Sequence, residues 1–343
     1  MHRKYLSEND PKTQLKKYKT QYLSDFLDLY KQRDDCQRKA TDFARFCIKP
    51  AMEDYINRSL GIDIVEEILT SSHSAQYSSR SFFQYNIQQE LLHNEDFDKF
   101  DKYIGNYEKY VKDWIYQHIL QEMSENESWC KLKNKNLQII VNKITEAIEQ
   151  ASKGENGVLL PDDTESITEL ISNMRKYLIK DVSLSTLAKL PIKPQDELFN
   201  RVFGCGQLCP FCKVPCEAGG KEHKKHHAAL HRPQGLGGYS DLDSSKLVDA
   251  LCTTDVHSEK TFRNTVTKSQ WHPYKEYTTY YPDWHIPPDP TIEASDYWKY
   301  VLVKYNDRFA EKYKVKPADV PNAWRRITKE QALKGLREAF NIK

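Results

Sequence analysis

The sequence predicts a mostly α protein, with a helical N-terminal domain over residues 1–192 and a partly irregular C-terminal domain over 193–343. Three observations lead there. Through most of the first half, apolar residues recur at steps of three and four, the period that gathers them on one face of a helix. Glycine is scarce (12 residues), 29% of the chain is charged and only 39% is hydrophobic, a balance suited to solvated helices rather than turn-rich sheet. From residue 191 onward prolines and aromatics crowd together, and four of the eight cysteines lie between Cys205 and Cys216.

In order along the chain, Leu15, Tyr18, Tyr22, Phe26, Leu29, Cys36, Ala40, Phe43, Cys47, Ala51 and Tyr55 trace one stripe of a long helix over 11–58. Pro50 is expected to kink or split it, since proline lacks a backbone donor and clashes with the preceding turn. A short helix follows over 62–69, then a serine-rich loop over 71–81. Helices resume over 82–92, 97–123 and 136–151, and the stretch GENGVLLP at 154–161 breaks the pattern. Asp163 or Thr164 can cap a further helix to about residue 178, without a capping box because Ile167 stands at the third helical position after Thr164. Helical spacing then fades until residue 294. The segment WHPYKEYTTYYPDWHIPPDP at 271–290 is too proline-rich for a helix and too irregular for a clean strand; it should be irregular but ordered. Two closing helices are expected over 294–313 and 328–340.

A chain of 343 residues has room for about two domains and does not need metal or disulfides merely to fold. A formal net charge of +2 gives no push toward nucleic acid, whose dedicated binders carry a clear basic excess. No apolar run approaches the length of a transmembrane helix, and the first residues lack the apolar core of a secretory signal. The expected compartment is the cytoplasm or nucleus, where thiols stay reduced and cysteines serve as thiols or metal ligands.

The cluster itself spans 203–239. Cys209 and Cys212 form a CxxC knuckle; 13 residues separate Cys212 from His226, and four separate His226 from His231. That spacing fits a Cys2His2 zinc site, and mixed thiolate and imidazole donors favour zinc over other first-row metals. The expected ligands are Cys209, Cys212, His226 and His231, with Cys216, His227, His223 and Cys205 as alternates. His227 with His231 suits a helix slightly better, as an i, i+4 pair. Two ions would use all eight residues, but adjacent His226 and His227 would point apart on a helix, so one structural Zn2+ is expected. No HExxH or deaminase pattern accompanies it, and no second CxxC joins Cys252, His257 and His272 to suggest a RING-type pair of sites.

Other features have plain accounts. GLGG at 235–238 supplies turn freedom, because GxxxxGK followed by Ser or Thr is absent from the chain. The basic stretch KEHKKHH at 221–227 is expected to be a solvated helix face with ligands on its other side. The aromatics between Trp271 and Trp284 are expected to pack their irregular segment onto the helices, and Cys130 and Cys252 to be lone buried thiols.

The strings CPFCKVPCEAGGKEH (209–223), HRPQGLGGY (231–239), WHPYKEY (271–277), YYPDWHIPPDP (280–290), EASDYWKY (293–300) and KPADVP (316–321) carry a resemblance to the C-terminal end of the interferon-induced very large GTPases, the group that includes the up-regulator of cell proliferation. The resemblance is specific over 203–343 and diffuse before it. It implies a cytosolic or nuclear protein of innate immunity whose relatives carry a dynamin-like GTP-binding domain. With no phosphate loop here, GTP chemistry transfers to no residue of this chain. The resemblance thus implies a region outside the GTPase domain, as a fragment, a truncated paralogue or a short chain of its own, with an assembly or scaffold role. Its partners would be proteins, full-length very large GTPases or further copies of itself. A zinc-dependent nucleic-acid-binding module and a ubiquitin-ligase-like module are the alternatives.

Overall fold

The computed structural model describes residues 41–71, 74–125, 128–153, 189–218 and 222–342, with scattered positions between 23 and 39 and between 168 and 187. The stripe expected before Ala40, the break at 154–161 and the helix after Asp163 lie outside the described residues. The described chain is mostly helical, with four strands of two residues each. It divides into two compact units: Met1–Ile64 with Met123–Lys193, and Val65–Glu122 with Pro194–Lys343. Residues 65–122 thus group with the C-terminal half, and the boundary expected near residue 193 is where the chain re-enters that second unit.

In the first unit a π-helical turn, Ala44–Ile48, runs directly into α1, Lys49–Thr70. Pro50 does not break the helix. It sits at the second position of α1, and the wider turn just before it is one of the local adjustments that accommodate a helical proline. The buried stripe differs from the expected one. Ala44, Ile48, Met52, Ile56, Leu60 and Ile64 are buried, whereas Phe43 and Cys47 are exposed. The buried row is one residue out of step with the expected Phe43, Cys47, Ala51 and Tyr55, and it is already so at Ala44, where the π turn begins. Helix α5, Ser128–Lys153, starts well before residue 136 and buries Leu132 and Leu137; its Asn136 amide donates to Asp63 on α1. Gly61 faces the backbone of Ile192 so closely that a Cβ would overlap its carbonyl oxygen. Gly61→Ala should therefore lower the melting temperature of this unit, although Ala is favoured by about 1 kcal/mol in an unobstructed helix; a rise in melting temperature would refute the close approach.

The second unit opens with α2, Arg80–Asn94, where Ser79 accepts a bond from the Phe82 amide. Helix α3, Phe97–Gly105, is capped by Asp96. Helix α4, Tyr107–Glu125, follows after Asn106, so the helix expected over 97–123 is two. The short helix α6, Pro194–Val202, has only about two turns of sequence and leaves too brief a periodic signal to read. The closing helices are α8, Asp296–Tyr313, and α9, Lys329–Ala339, the latter started by a full Thr328–Gln331 capping box. Tyr297 on α8 is fully buried and donates to the Gln88 carbonyl of α2 at 2.9 Å, while Lys304 and Lys329 both reach Glu95. These contacts join α2 and its C-terminal end to the closing helices.

Between α6 and α8 the chain is irregular but ordered. Strand β1 (His226–His227) pairs in parallel with β4 (Trp284–His285), and β2 (Thr261–Phe262) pairs antiparallel with β3 (His272–Pro273). The one-turn helix α7, Cys252–Asp255, lies between β1 and β2 in sequence. Phe211, fully buried, meets the rings of Tyr239, Phe262, Tyr274, Tyr277 and Tyr281 at 4.8–6.2 Å between centroids. The aromatics of 271–284 therefore pack mainly around the cysteine knuckle rather than onto the helices, and Trp271 stays 41% exposed.

Candidate metal centre

The knuckle is built as a nested hairpin. Leu208 and Pro215 form an antiparallel bridge, the Cys209 amide donates to the Val214 carbonyl and the Cys216 amide to the Gln207 carbonyl, both at 2.8 Å. Cys209 and Cys212 therefore sit at the tip, with Cys205 and Cys216 on the two arms. Gly204 and Gly206, at φ of 75° and 76°, let the chain turn on either side of Cys205, in a region that side chains disfavour. The GLGG stretch is a 3-10 turn, Gln234–Gly237, ended by Gly238 at φ 91°. It is a turn, as expected.

Among the described residues, eight cysteine and histidine side chains that could hold a metal fall into two groups. Cys209, Cys212, His231 and Cys252 bring one donor atom each to within 4.8 Å of one another, and all four are buried. His231 Nδ1 stands 3.3 Å from Cys212 Sγ and 3.1 Å from Cys252 Sγ, and the sulfurs of Cys209 and Cys252 are 3.9 Å apart. A tetrahedral zinc with bonds of about 2.3 Å to sulfur and 2.0–2.1 Å to nitrogen requires edges of about 3.8 Å between sulfurs and about 3.6 Å between sulfur and nitrogen. The donor set fits one ion with four protein ligands, and such a closed set leaves no position for a substrate.

The second group is Cys205, Cys216, His223 and His226, again within 4.8 Å. Of the expected ligands, the structure brings Cys209, Cys212 and His231 together and places His226 with the other group. Cys205, Cys216 and His223, held as alternates, join His226. His227 joins neither: residues 226–227 form a strand rather than a helix, so their side chains alternate, and His226 is buried while His227 is exposed. The basic stretch around them is accordingly not a helix face. Cys252 completes the first group instead of lying alone, whereas Cys130 is an exposed thiol rather than a buried one. The signal for Cys252 in the sequence was arithmetic, because once Cys205, Cys216, His223 and His226 form one group, Cys209, Cys212 and His231 lack a fourth member.

What brings Cys252 in is a buried polar network on its own helical turn. Gln234 donates to Asp255 at 2.6 Å and accepts from Tyr274 at 2.9 Å, and Asp255 also pairs with Lys260 at 3.0 Å. Charges in the buried group lean on one another. Burial acts against ionisation of Cys212, but bonds from Cys209 and Cys252 and the His231 charge outweigh it and hold the thiol well below its usual range. Burial pushes Cys209 and Cys252 up. Burial also disfavours the His231 cation, yet the Cys212 thiolate raises it to about 10. A divalent cation would draw the remaining protons off these ligands, which is how metal binding couples to folding.

Arg232 was not legible as a site residue. It is 1% exposed, donating from Nε to the Cys212 carbonyl and from Nη2 to the Lys213 carbonyl, both at 2.7 Å, with its guanidinium over the Trp298 ring.

Residues 205–336 match the family model of the interferon-induced very large GTPase 1 C-terminal domain, a stretch that begins at Cys205 and holds both groups. The chain resembles the C-terminal region of the interferon-induced very large GTPases. Interferon-induced very large GTPase 1 of Mus musculus is 26% identical over 386 aligned positions, and that of Homo sapiens 24% over 388. Each alignment covers 98% of this chain and 16% of the relative, so the chain spans about a sixth of the length of these very large GTPases. No solved structure matches. Among the described residues, no helix is long and apolar enough to cross a membrane.

Proposed function

We propose that the chain is a non-catalytic assembly region of the very large GTPase type, held in shape by a structural zinc ion on Cys209, Cys212, His231 and Cys252. The observation that carries this reading is the buried Cys3His group inside the matched stretch. It is closed on all four sides, as structural zinc sites are and catalytic ones are not. Its work is then to fix a surface for protein partners, either further copies of this chain or full-length very large GTPases, in the reducing cytoplasm or nucleus where such thiolates persist. The purified chain should give no saturable GTP heat in calorimetry at micromolar nucleotide, and immobilised chain should retain a co-expressed full-length very large GTPase. GTP binding, or recovery of neither relative nor self, would sink the reading.

A second reading, a ubiquitin-ligase-like module, is favoured by one observation, the interleaving of the two ligand groups along the sequence. Self-ubiquitination in the presence of E1 and E2 enzymes would establish it; inertness across a panel of E2 enzymes would remove it.

A further inference from the structure

We infer that Cys205, Cys216, His223 and His226 hold a second zinc ion, which clasps the base of the knuckle hairpin to the segment around Asp283. The inference takes its choice of metal from the reading of the buried site, but its atoms are separate. His223 Nε2 stands 3.0 Å from His226 Nδ1 and 3.4 Å from Cys216 Sγ, and His226 Nδ1 stands 3.6 Å from Cys205 Sγ. The corresponding edges around tetrahedral zinc are about 3.3 Å between nitrogens and about 3.6 Å between nitrogen and sulfur. Hydrogen bonding alone does not account for the arrangement. One proton between the two imidazoles satisfies a single pair, whereas four donor atoms from two arms of a hairpin and the chain after it converge on one point.

The surroundings are those of a ligand set. The Ala218 amide donates to Cys216 Sγ at 3.4 Å. The other nitrogen of His226 faces Asp283 Oδ2 at 3.5 Å, and a carboxylate behind a metal-bound imidazole fixes the ring's tautomer and orientation. The backbone repeats the link: the His226 amide donates to the Asp283 carbonyl at 2.6 Å, beside the pairing of β1 with β4. Asp283 is thus a positioning residue, and the ion makes a two-residue parallel strand pair worth forming.

The two sites differ in charge and in access. Two thiolates and a divalent ion sum to zero, so the second site needs no buried counter-charge, and Cys205 and His223 are only half-buried. Three thiolates and a divalent ion leave the first site at −1, fully buried, beside the Arg232 guanidinium. The second ion should therefore leave first when a chelator is added.

The test is metal content and release from the full chain. Wild type should carry two zinc ions per chain, released to a chromophoric chelator in two phases. His223→Ala should carry one and lose the fast phase. Asp283→Asn should keep both ligand sets but bind the fast ion about 10–100-fold more weakly, a change that side-chain packing at an exposed aspartate would not produce. One ion in wild type, lost on Cys252→Ala but indifferent to His223→Ala, overturns the second site and leaves the first. No zinc in wild type overturns both. Two ions that persist in His223→Ala overturn His223 as a ligand and with it this second set.

Discussion

Stripping zinc from the chain, or replacing Cys252 by Ala, is expected to unfold residues 203–286 while the helices at 44–64 and 128–153 keep their ellipticity. Between α6 and α8 the backbone offers little cooperative structure of its own: strands of two residues, one turn of α-helix and short 3-10 turns. Such elements are far below the length at which local hydrogen bonding sustains itself. The core there includes four cysteines among the rings of Phe211, Phe262, Tyr274 and Trp284, and those cysteines pack around the ligand sites. Structural zinc contributes about 10–16 kcal/mol to folding in small zinc-finger peptides. Here the aromatic cluster and α8 retain part of the order, so the expected loss is several kcal/mol, read as a fall in melting temperature and a gain of protease cleavage between residues 203 and 286. Cys252→Ala is the decisive variant, because a lone buried thiol would cost only the small hydrophobic term of its sulfur. Zinc content and proteolysis unchanged in that variant would show that Cys252 is packing and not a ligand.

The sequence carried the helices because their signal is local. The closing pair, α8 and α9, have apolar residues at helical steps and a boundary residue that stops them, so spacing alone located them within a few residues, whereas for the long α5 it located the end and missed the first two turns. The stripe of α1 lies one residue from the expected one because Ala44, Ile48, Met52, Ile56, Leu60 and Ile64 make an equally regular row, and spacing alone does not say which of two adjacent apolar rows faces the core. The clustering of cysteines and histidines was legible, and its partition into two groups was not. Seven of the eight side chains in the two groups lie within the 27 residues from Cys205 to His231, which is why a metal site is expected from the sequence. Which sulfur meets which imidazole depends on a nested hairpin, on a strand where a helix was expected, and on Cys252 arriving from 21 residues beyond His231. All three are settled by tertiary contacts, such as Gln234 with Asp255, that no spacing rule records. Arg232 escaped for the same reason. In sequence it is one more cation beside a histidine, and only burial makes its charge significant.

Replacing Arg232 by Met is expected to destabilise the second unit by about 3–5 kcal/mol and to weaken the hold on the buried ion. Methionine fills much of the stem's volume, so the loss isolates the head group. Two carbonyls at the knuckle, those of Cys212 and Lys213, lose charge-assisted donors at 2.7 Å, and each unsatisfied buried acceptor costs about 1–3 kcal/mol. The guanidinium itself is costly to bury. Burial lowers its proton affinity and the Cys212 thiolate offsets part of that, so cation and anionic site support one another, and removing one partner of such a pair typically costs about 3–5 kcal/mol. Arg232→Lys should be intermediate, since an ammonium keeps the charge but neither reaches both carbonyls in a fixed fork nor stacks on Trp298. The charge argument has a sharper consequence in a double-mutant cycle. Cys252→His exchanges one thiolate for an imidazole and takes the zinc-loaded site from −1 to zero. In that background Arg232→Met should cost measurably less than in wild type, with zinc content confirmed at each corner. If the two losses are equal, Arg232 serves only to satisfy the Cys212 and Lys213 carbonyls, and the site's charge has no part in keeping it buried.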